Sequence, residues 1–347
     1  MASRVFFIPL SPHSGDQERS DAGRRMLEKL CSQCDRMAGE IPLKLHFGER
    51  GNRTYLAPEV YDGMIEVIES RGSKSFFTET SVLYGGERFK AEKHIALAQK
   101  HGFTRLPVVI ADGDNGEAAV NVPVRNGRHF QTAAIGKVLA DAEQVLVVSH
   151  FKGHMLAGFG GAIKQLSMGF ASKGGKMAMH LGVKPRIRAW KCRACGVCAT
   201  RCNAGAIIKD KKYRIDRDKC IGCGACFSIC PHHAVSVLTL AGIKNALFGN
   251  NVFRQKLVEY AMASHDGKRN IYITFAVNVT PGCDCEPRRM SACVPDIGVF
   301  GSFDPVALDC ACYDKVKAAG KSFRGRAQLD YAEKIGLGSC DYELVEL

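Results

Sequence analysis

The sequence predicts an α/β protein: a largely parallel sheet flanked by helices, with a small, cysteine-rich α+β domain inserted into it. Three observations carry this expectation. Short runs rich in β-branched and aromatic residues alternate with longer stretches of helical periodicity, as in sheets built from strand–helix–strand crossovers. That alternation breaks off near Lys184 and resumes after Leu240. Eight cysteines in a regular rhythm occupy the interval. The expected organisation is residues 1–183 as the first part of the α/β domain, 184–240 as the insert and 241–347 as the second part.

In chain order, the strand candidates are "RVFFIPL" (4–10), "PLKLHF" (42–47), "SKSFFTET" (73–80), "LPVVIAD" (106–112), "QVLVVSH" (144–150) and "NIYITFAV" (270–277). Helical patterns cover 20–39, 57–72, 87–102, 132–142, 252–267 and 304–320, several of them stopped by glycine. The insert is entered through "VKPRIRAW" and left through "LAGIKNALFGNN", both rich in chain-punctuating residues.

The chain of 347 residues has no apolar run near the roughly 18–20 residues that a membrane helix needs. Its start lacks the charged region, apolar run and cleavage site of a secretory signal, so a cytoplasmic protein with no membrane partner is expected. Sixteen cysteines in a reducing compartment argue for metal or cluster ligation rather than a disulfide framework. A net charge of +13 implies attraction to an acidic protein, an anionic ligand or nucleic acid. With 8% aromatic residues and no recognition motif, nucleic acid is the least favoured of these.

Within the insert, Cys192, Cys195, Cys198 and Cys202 form one C-x2-C-x2-C-x3-C unit, and Cys220, Cys223, Cys226 and Cys230, followed by Pro231, form a second. Zinc knuckles pair two short C-x2-4-C motifs across a longer spacer, and this tandem rhythm does not fit them. It resembles a bacterial-type two-cluster ferredoxin. The resemblance implies two [4Fe-4S] clusters, one on Cys192, Cys195, Cys198 and Cys230, the other on Cys220, Cys223, Cys226 and Cys202, because the fourth cysteine of each unit serves the other cluster. Gly196, Gly222 and Gly224 suit the tight loops such sites need, and Asn203 replaces the proline of the first unit. Between Lys184 and Lys219, twelve Lys/Arg stand against three Asp, a basic skin that suits an acidic redox partner.

Most strand candidates run into polar residues at their carboxyl ends, where open parallel sheets bind ligands. These are Lys44, His46, Glu49 and Asn52; Thr78, Glu79 and Tyr84; Asp112 and Asp114; and His150, Lys152, His154 and Lys164. His46, Glu49, Glu79, His150 and His154 are the candidate catalytic groups. Lys44, Asn52, Lys152, Lys164 and the glycines Gly160 and Gly161 are candidates for binding an anionic cofactor or substrate. "GFGGAI" could offer backbone amides to a phosphate, but it matches neither dinucleotide nor Walker patterns.

The strings "KLHFGERGN", "TETSVLYGGER", "GFTRLPVVIADG", "SHFKGHMLAGFGGAIKQLSMGFASKGGK", the cysteine repeat and "CDC" followed by "PDIGVFGSFDPVALD" resemble the domain-of-unknown-function 362 family of iron–sulphur centre proteins. The likeness implies a ferredoxin pair inserted in an α/β domain, and it implies no particular reaction. Glu79 stands where that pattern has aspartate, and Cys293, Cys310 and Cys312 fall outside it.

Cys283 and Cys285 form a C-x-C pair that can chelate a soft metal or hold two corners of a cluster, so a third metal centre, or a flavin, is an open alternative for the crevice. Cys310 and Cys312 lie two apart on a predicted helix and point to different sides. Cys31 and Cys34 are spaced to share a helix face.

The leading functional expectation is an electron-transfer protein or iron–sulphur oxidoreductase component, its clusters serving a site in the crevice or a docked partner. A non-catalytic cofactor-binding or assembly protein with structural clusters is the first alternative, and a nucleic-acid-binding iron–sulphur protein the second.

Overall fold

The computed structural model describes residues 2–34, 36–181, 184–200, 202, 205–220, 225–236 and 250–347. Cys223, Gly222, Gly224, Asn203 and the expected border at Leu240 lie outside them.

Eight strands form one central sheet: β1 (Ser3–Pro9), β2 (Glu40–Lys44), β3 (Lys74–Glu79), β4 (Val108–Ile110), β5 (Leu146–His150), β6 (Ile271–Ala276), β7 (Gly298–Ser302) and β8 (Tyr342–Glu346). Their order is β8-β1-β7-β6-β5-β2-β3-β4. All neighbours are parallel except the two pairs made by β7. The six strands expected from the sequence all form.

The strands are apolar because both faces are covered. Along β5, Leu146 and Val148 face the side covered by helices Asp16–Cys31 and Asp62–Ser70, and Val147 faces the side covered by Ala162–Ser167, Asn250–His265 and Pro305–Ala318. Strands β5 and β6 pair directly although 120 residues of chain lie between them, so segments from either side of the cysteine repeat share one sheet.

Strands β7 and β8 were not among the expected elements. The glycines of "GVFGS" are there for close approach: a Cβ on Gly301 would lie 2.4 Å from Met26 Sδ. The helix expected over 132–142 is a strand, Thr132–Gly136, followed by a short helix, Lys137–Asp141. The strand pairs with Ala119–Pro123, and Ala133 and Ile135 are buried at a period of two, which a helix could not do. The first helix ends at Cys31, so Cys34 lies beyond it and the two do not share a helical face.

The cysteine-rich stretch forms two small antiparallel ribbons, Arg186–Ile187 with Val235–Ser236 and Ile207–Lys209 with Tyr213–Ile215, and two short helices, Val197–Thr200 and Ala225–Ile229. Cys198, Cys226 and Val235 form a small core of their own there, with Ile187, Ile207 and Ile215 against it. Ala225–Ile229 packs beside Lys173–Leu181, a helix whose residues also line the crevice of the main sheet. Among the described residues, no helix is long and apolar enough to cross a membrane.

Candidate functional site

The carboxyl ends of β2, β3 and β5 open on a cavity of about 210 Å³. His46 and Glu79 line it from the ends of β2 and β3, Arg88 from the loop after β3, His154 and Lys164 from the segment after β5, and Lys176 and His180 from the helix Lys173–Leu181. Cys285 closes it from the loop after β6.

Its floor is a buried charge network. Arg88 donates from Nη2 to Glu79 Oε2 at 2.7 Å, and its Nη1 lies 3.8 Å from Glu49 Oε2. His94 Nε2 is 3.3 Å from the same Glu79 oxygen, and Lys44 Nζ is 3.8 Å from the other. Burial alone would push the Glu79 carboxyl up, but Arg88 and then Lys44 hold it well below the usual carboxylate range. Lys44 is fully buried, and desolvation lowers it to about 7 despite Glu79. Lys176 donates to Thr80 O, Thr80 Oγ1 and Ser81 O; burial lowers it to about 8, with Asp112 and Glu79 pulling the other way.

The two lining histidines at the strand ends are neutral donors. Burial, with Arg88 beside His46 and Lys164 beside His154, keeps both well below the ordinary imidazole value. Each Nδ1 accepts a backbone N–H, from Gly48 (2.9 Å) and Ala157 (3.1 Å) respectively, which leaves the ring proton on Nε2. Lysines, an arginine and imidazole N–H groups around one small space suit an anion.

A second network lies beside it. Asp284 is fully buried and accepts from Lys152 Nζ (2.9 Å) and Thr54 Oγ1 (3.0 Å), with His150 Nδ1 at 2.8 Å. The other nitrogen of His150 is 2.8 Å from Val277 O, so both ring nitrogens are engaged in holding the β5 and β6 loops together. Lys152 and His150 thus orient the Cys283–Cys285 loop and do not line the cavity. Asn52 likewise caps that loop, donating to Glu286 O and Arg288 O, and Glu49 accepts from Tyr84 (2.9 Å).

Gly160 and Gly161 do not offer a phosphate cradle. The amides that start the helix Ala162–Ser167 are taken by Asp309, with Ala162 N at 2.7 Å and Ile163 N at 3.0 Å. A Cβ on Gly161 would lie 2.2 Å from Asp309 Oδ1, so the glycine admits the chain's own carboxylate where an anion was expected. Asp309→Ala should cost about 1–2 kcal/mol, as loss of a helix N-cap does; a urea midpoint equal to wild type would contradict this reading.

Cys283 and Cys285 come together with His154, one ligand atom of each lying within 4.8 Å of the others. Cys283 is the thiolate of the pair. A hydrogen bond from Cys285 and, against burial, the charge of Lys164 hold it well below the ordinary thiol, while the same bond and burial raise Cys285. Lys164 Nζ is 3.6 Å from Cys283 Sγ; burial works against its ammonium, but that thiolate keeps it above its ordinary value.

In the cysteine-rich stretch, Cys192, Cys195, Cys198 and Cys230 line a single cavity. Backbone amides point at three cysteine sulphurs there: Ala194 to Cys192 (3.4 Å), Ala206 to Cys202 (3.2 Å) and Ala234 to Cys230 (3.3 Å). Cys202 and Cys220 are half-buried and Cys226 is buried.

Residues 41–314 match the family described as Domain of unknown function (DUF362). The chain belongs to DUF362. No curated protein matches the sequence of this DUF362 member. Among solved structures, it is similar to the lactate racemase apoprotein from Thermoanaerobacterium thermosaccharolyticum, at 11% identity and a TM-score of 0.40 over 79% of this chain and 51% of that one. It is also similar to a protein from Thermotoga maritima, at 12% identity and a TM-score of 0.42 over 87% of this chain and 60% of that one. The DUF362 chain therefore spans about half to three-fifths of the length of these relatives.

Several residues of the DUF362 site were not among the sequence candidates: Arg88, His94, Lys176, His180, Asp284 and Asp309. Arg88 and Lys176 lie inside strings already singled out, "YGGER" and "SKGGK", and Asp284 is the middle of "CDC". Cys310 and Cys312 do diverge on their helix: Cys310 meets Cys340, Sγ to Sγ at 2.7 Å, while Cys312 is buried in the core.

Proposed function

We propose that this protein is an iron–sulphur electron-transfer protein, an oxidoreductase component whose inserted ferredoxin-like domain (184–240) carries two [4Fe-4S] clusters and passes single electrons to a ligand site in the α/β cavity or to a docked partner. One observation carries the reading. The helix Lys173–Leu181 packs beside the Cys226-bearing helix Ala225–Ile229 and presents Lys176 and His180 to the cavity, joining the cysteine segment to the ligand site through one element.

The expected ligand sets are Cys192, Cys195, Cys198 and Cys230 for one cluster and Cys202, Cys220, Cys223 and Cys226 for the other. The shared cavity of the first set and the amide-to-sulphur bonds support this, since such bonds tune thiolate-ligated clusters. Clusters supply one-electron chemistry; the chain's own residues bind and orient the anion. Lys164, Lys176 and Arg88 attract it, and the Nε2–H groups of His46 and His154 fix it. About 210 Å³ is below the roughly 300–1,000 Å³ of sites for drug-sized ligands, which favours a carboxylate or phosphate-sized anion over a flavin. Eight of the insert's twelve basic residues counted above are exposed, which supports an acidic redox partner in the cytoplasm.

Anaerobic purification with iron and sulphide analysis should give about eight irons per chain, with reversible reduction at ferredoxin-like potential. Substantially fewer irons, or a chromophore that cannot be reduced, would sink the proposal. Lys164→Met should weaken phosphate or acetate binding, followed by calorimetry, by about tenfold or more, the loss of one charge-assisted contact, while leaving the cluster spectrum unchanged.

A further inference from the structure

The C-x-C pair after β6 lies outside the cysteine repeat, and electron transfer through that repeat does not use it. Cys283 and Cys285 follow β6 and His154 follows β5, two loops that only the sheet brings together. We propose that Cys283, Cys285 and His154 bind one zinc-class divalent cation whose fourth coordination position opens into the cavity and takes an oxygen of the bound anion. The metal site stands independently of the proposed function; the identity of its fourth ligand rests on it.

Mutual separations of at most 4.8 Å among the three ligand atoms allow one ion to reach all of them. Two thiolates and an imidazole are a donor set that zinc prefers, and three protein ligands with one open position are what distinguishes a reactive site from a structural one. Two thiolates also cancel the charge of the ion, so the filled site adds no net charge to a buried place.

The surroundings of Cys283 are those of a metal-ligand sulphur. Lys164 Nζ approaches Cys283 Sγ at 3.6 Å, and the Cys285 amide donates to the same sulphur at 3.5 Å. Glu286 does not compete as a ligand through the oxygen that accepts from Cys283 N at 3.0 Å; it braces the loop instead. Cys283 is 1% exposed, whereas His154 and Cys285 line the cavity, so the open side of the ion faces that space. His154 is the adjustable ligand: its Nδ1 accepts from Ala157 N, a bond the ring exchanges when it ligates.

The test uses the full chain, reconstituted anaerobically and titrated with Co²⁺ as the probe. One cobalt per chain with sulphur-to-cobalt charge-transfer absorption and tetrahedral visible bands, displaced by Zn²⁺, is expected. The Cys283→Ser/Cys285→Ser variant should lose those bands with iron content unchanged, and His154→Gln should weaken binding by about tenfold or more. Should the double variant not fold, zinc protection of Cys283 and Cys285 from alkylation in the wild type, mapped by mass spectrometry, decides the matter.

No cobalt–sulphur bands in the wild type, bands unchanged in the double variant, or loss of iron instead of cobalt in it would each overturn the metal site. Acetate or phosphate should shift the visible cobalt bands; no shift would overturn the open position alone. Iron analysis reports separately on the clusters, so a chain without clusters that binds cobalt would refute the proposed function and leave the metal site intact.

Discussion

Arg88→Met should destabilise the protein by about 3–5 kcal/mol, the range for removing one partner of a buried ion pair. Arg88 is 3% exposed, and its guanidinium is the counter-charge for Glu79 at 2.7 Å and the cation nearest Glu49 at 3.8 Å. Methionine fills much of the volume but leaves the carboxylates short of positive charge where water cannot reach them. Lys44 at 3.8 Å compensates in part. Urea unfolding at pH 7 should show the midpoint falling at an unchanged slope. A fall below about 1 kcal/mol, the size of an exposed pair, would show that the network is solvated.

Asp284→Asn should produce a loss of similar size with a distinct pH signature. The substitution keeps the shape but strips Lys152 of its counter-ion, 2.9 Å away and 7% exposed. Burial alone would raise the Asp284 carboxyl; His150 and then Lys152 hold it well below the usual range. A folded-state value depressed below the unfolded value of about 3.9 contributes stability that is fully present above the unfolded pKa and lost as pH falls through the folded one. Wild type and variant should therefore differ most near pH 7 and converge as pH falls below about 4. A difference that stays constant down to pH 3 would show that the carboxylate charge is not what stabilises this loop.

Such networks explain what the sequence did and did not disclose. The six legible strands are legible because burial on both faces forces long apolar runs, as in "QVLVVSH". His46, Glu79, His154 and Lys164 were found because position at a strand end is itself a ligand signal. Arg88, Lys176 and Asp284 escaped because a lone charged residue outside the strands ordinarily faces solvent, and only tertiary contact with Glu79, Thr80 or Lys152 reveals that it is buried. Gly161 misled for a related reason: a glycine that admits an external phosphate and one that admits Asp309 look alike in one dimension. "GVFGS" failed as a strand because its glycines serve contacts with Met26 and with β1, which lie hundreds of residues away or nearly so.

Strand β1 has a consequence for how the molecule is made. Ser3–Pro9 is synthesised long before its two neighbours in the sheet, Gly298–Ser302 and Tyr342–Glu346. At about 5–20 residues per second, roughly 15–60 s of translation separate β1 from its nearest partner. Throughout that interval an apolar strand carries unpaired amides on both edges, a template for pairing with other chains. The nascent protein depends on being shielded until Gly298–Ser302 and Tyr342–Glu346 have left the ribosome, and the yield of folded protein should respond to chaperone supply before any change in the site does.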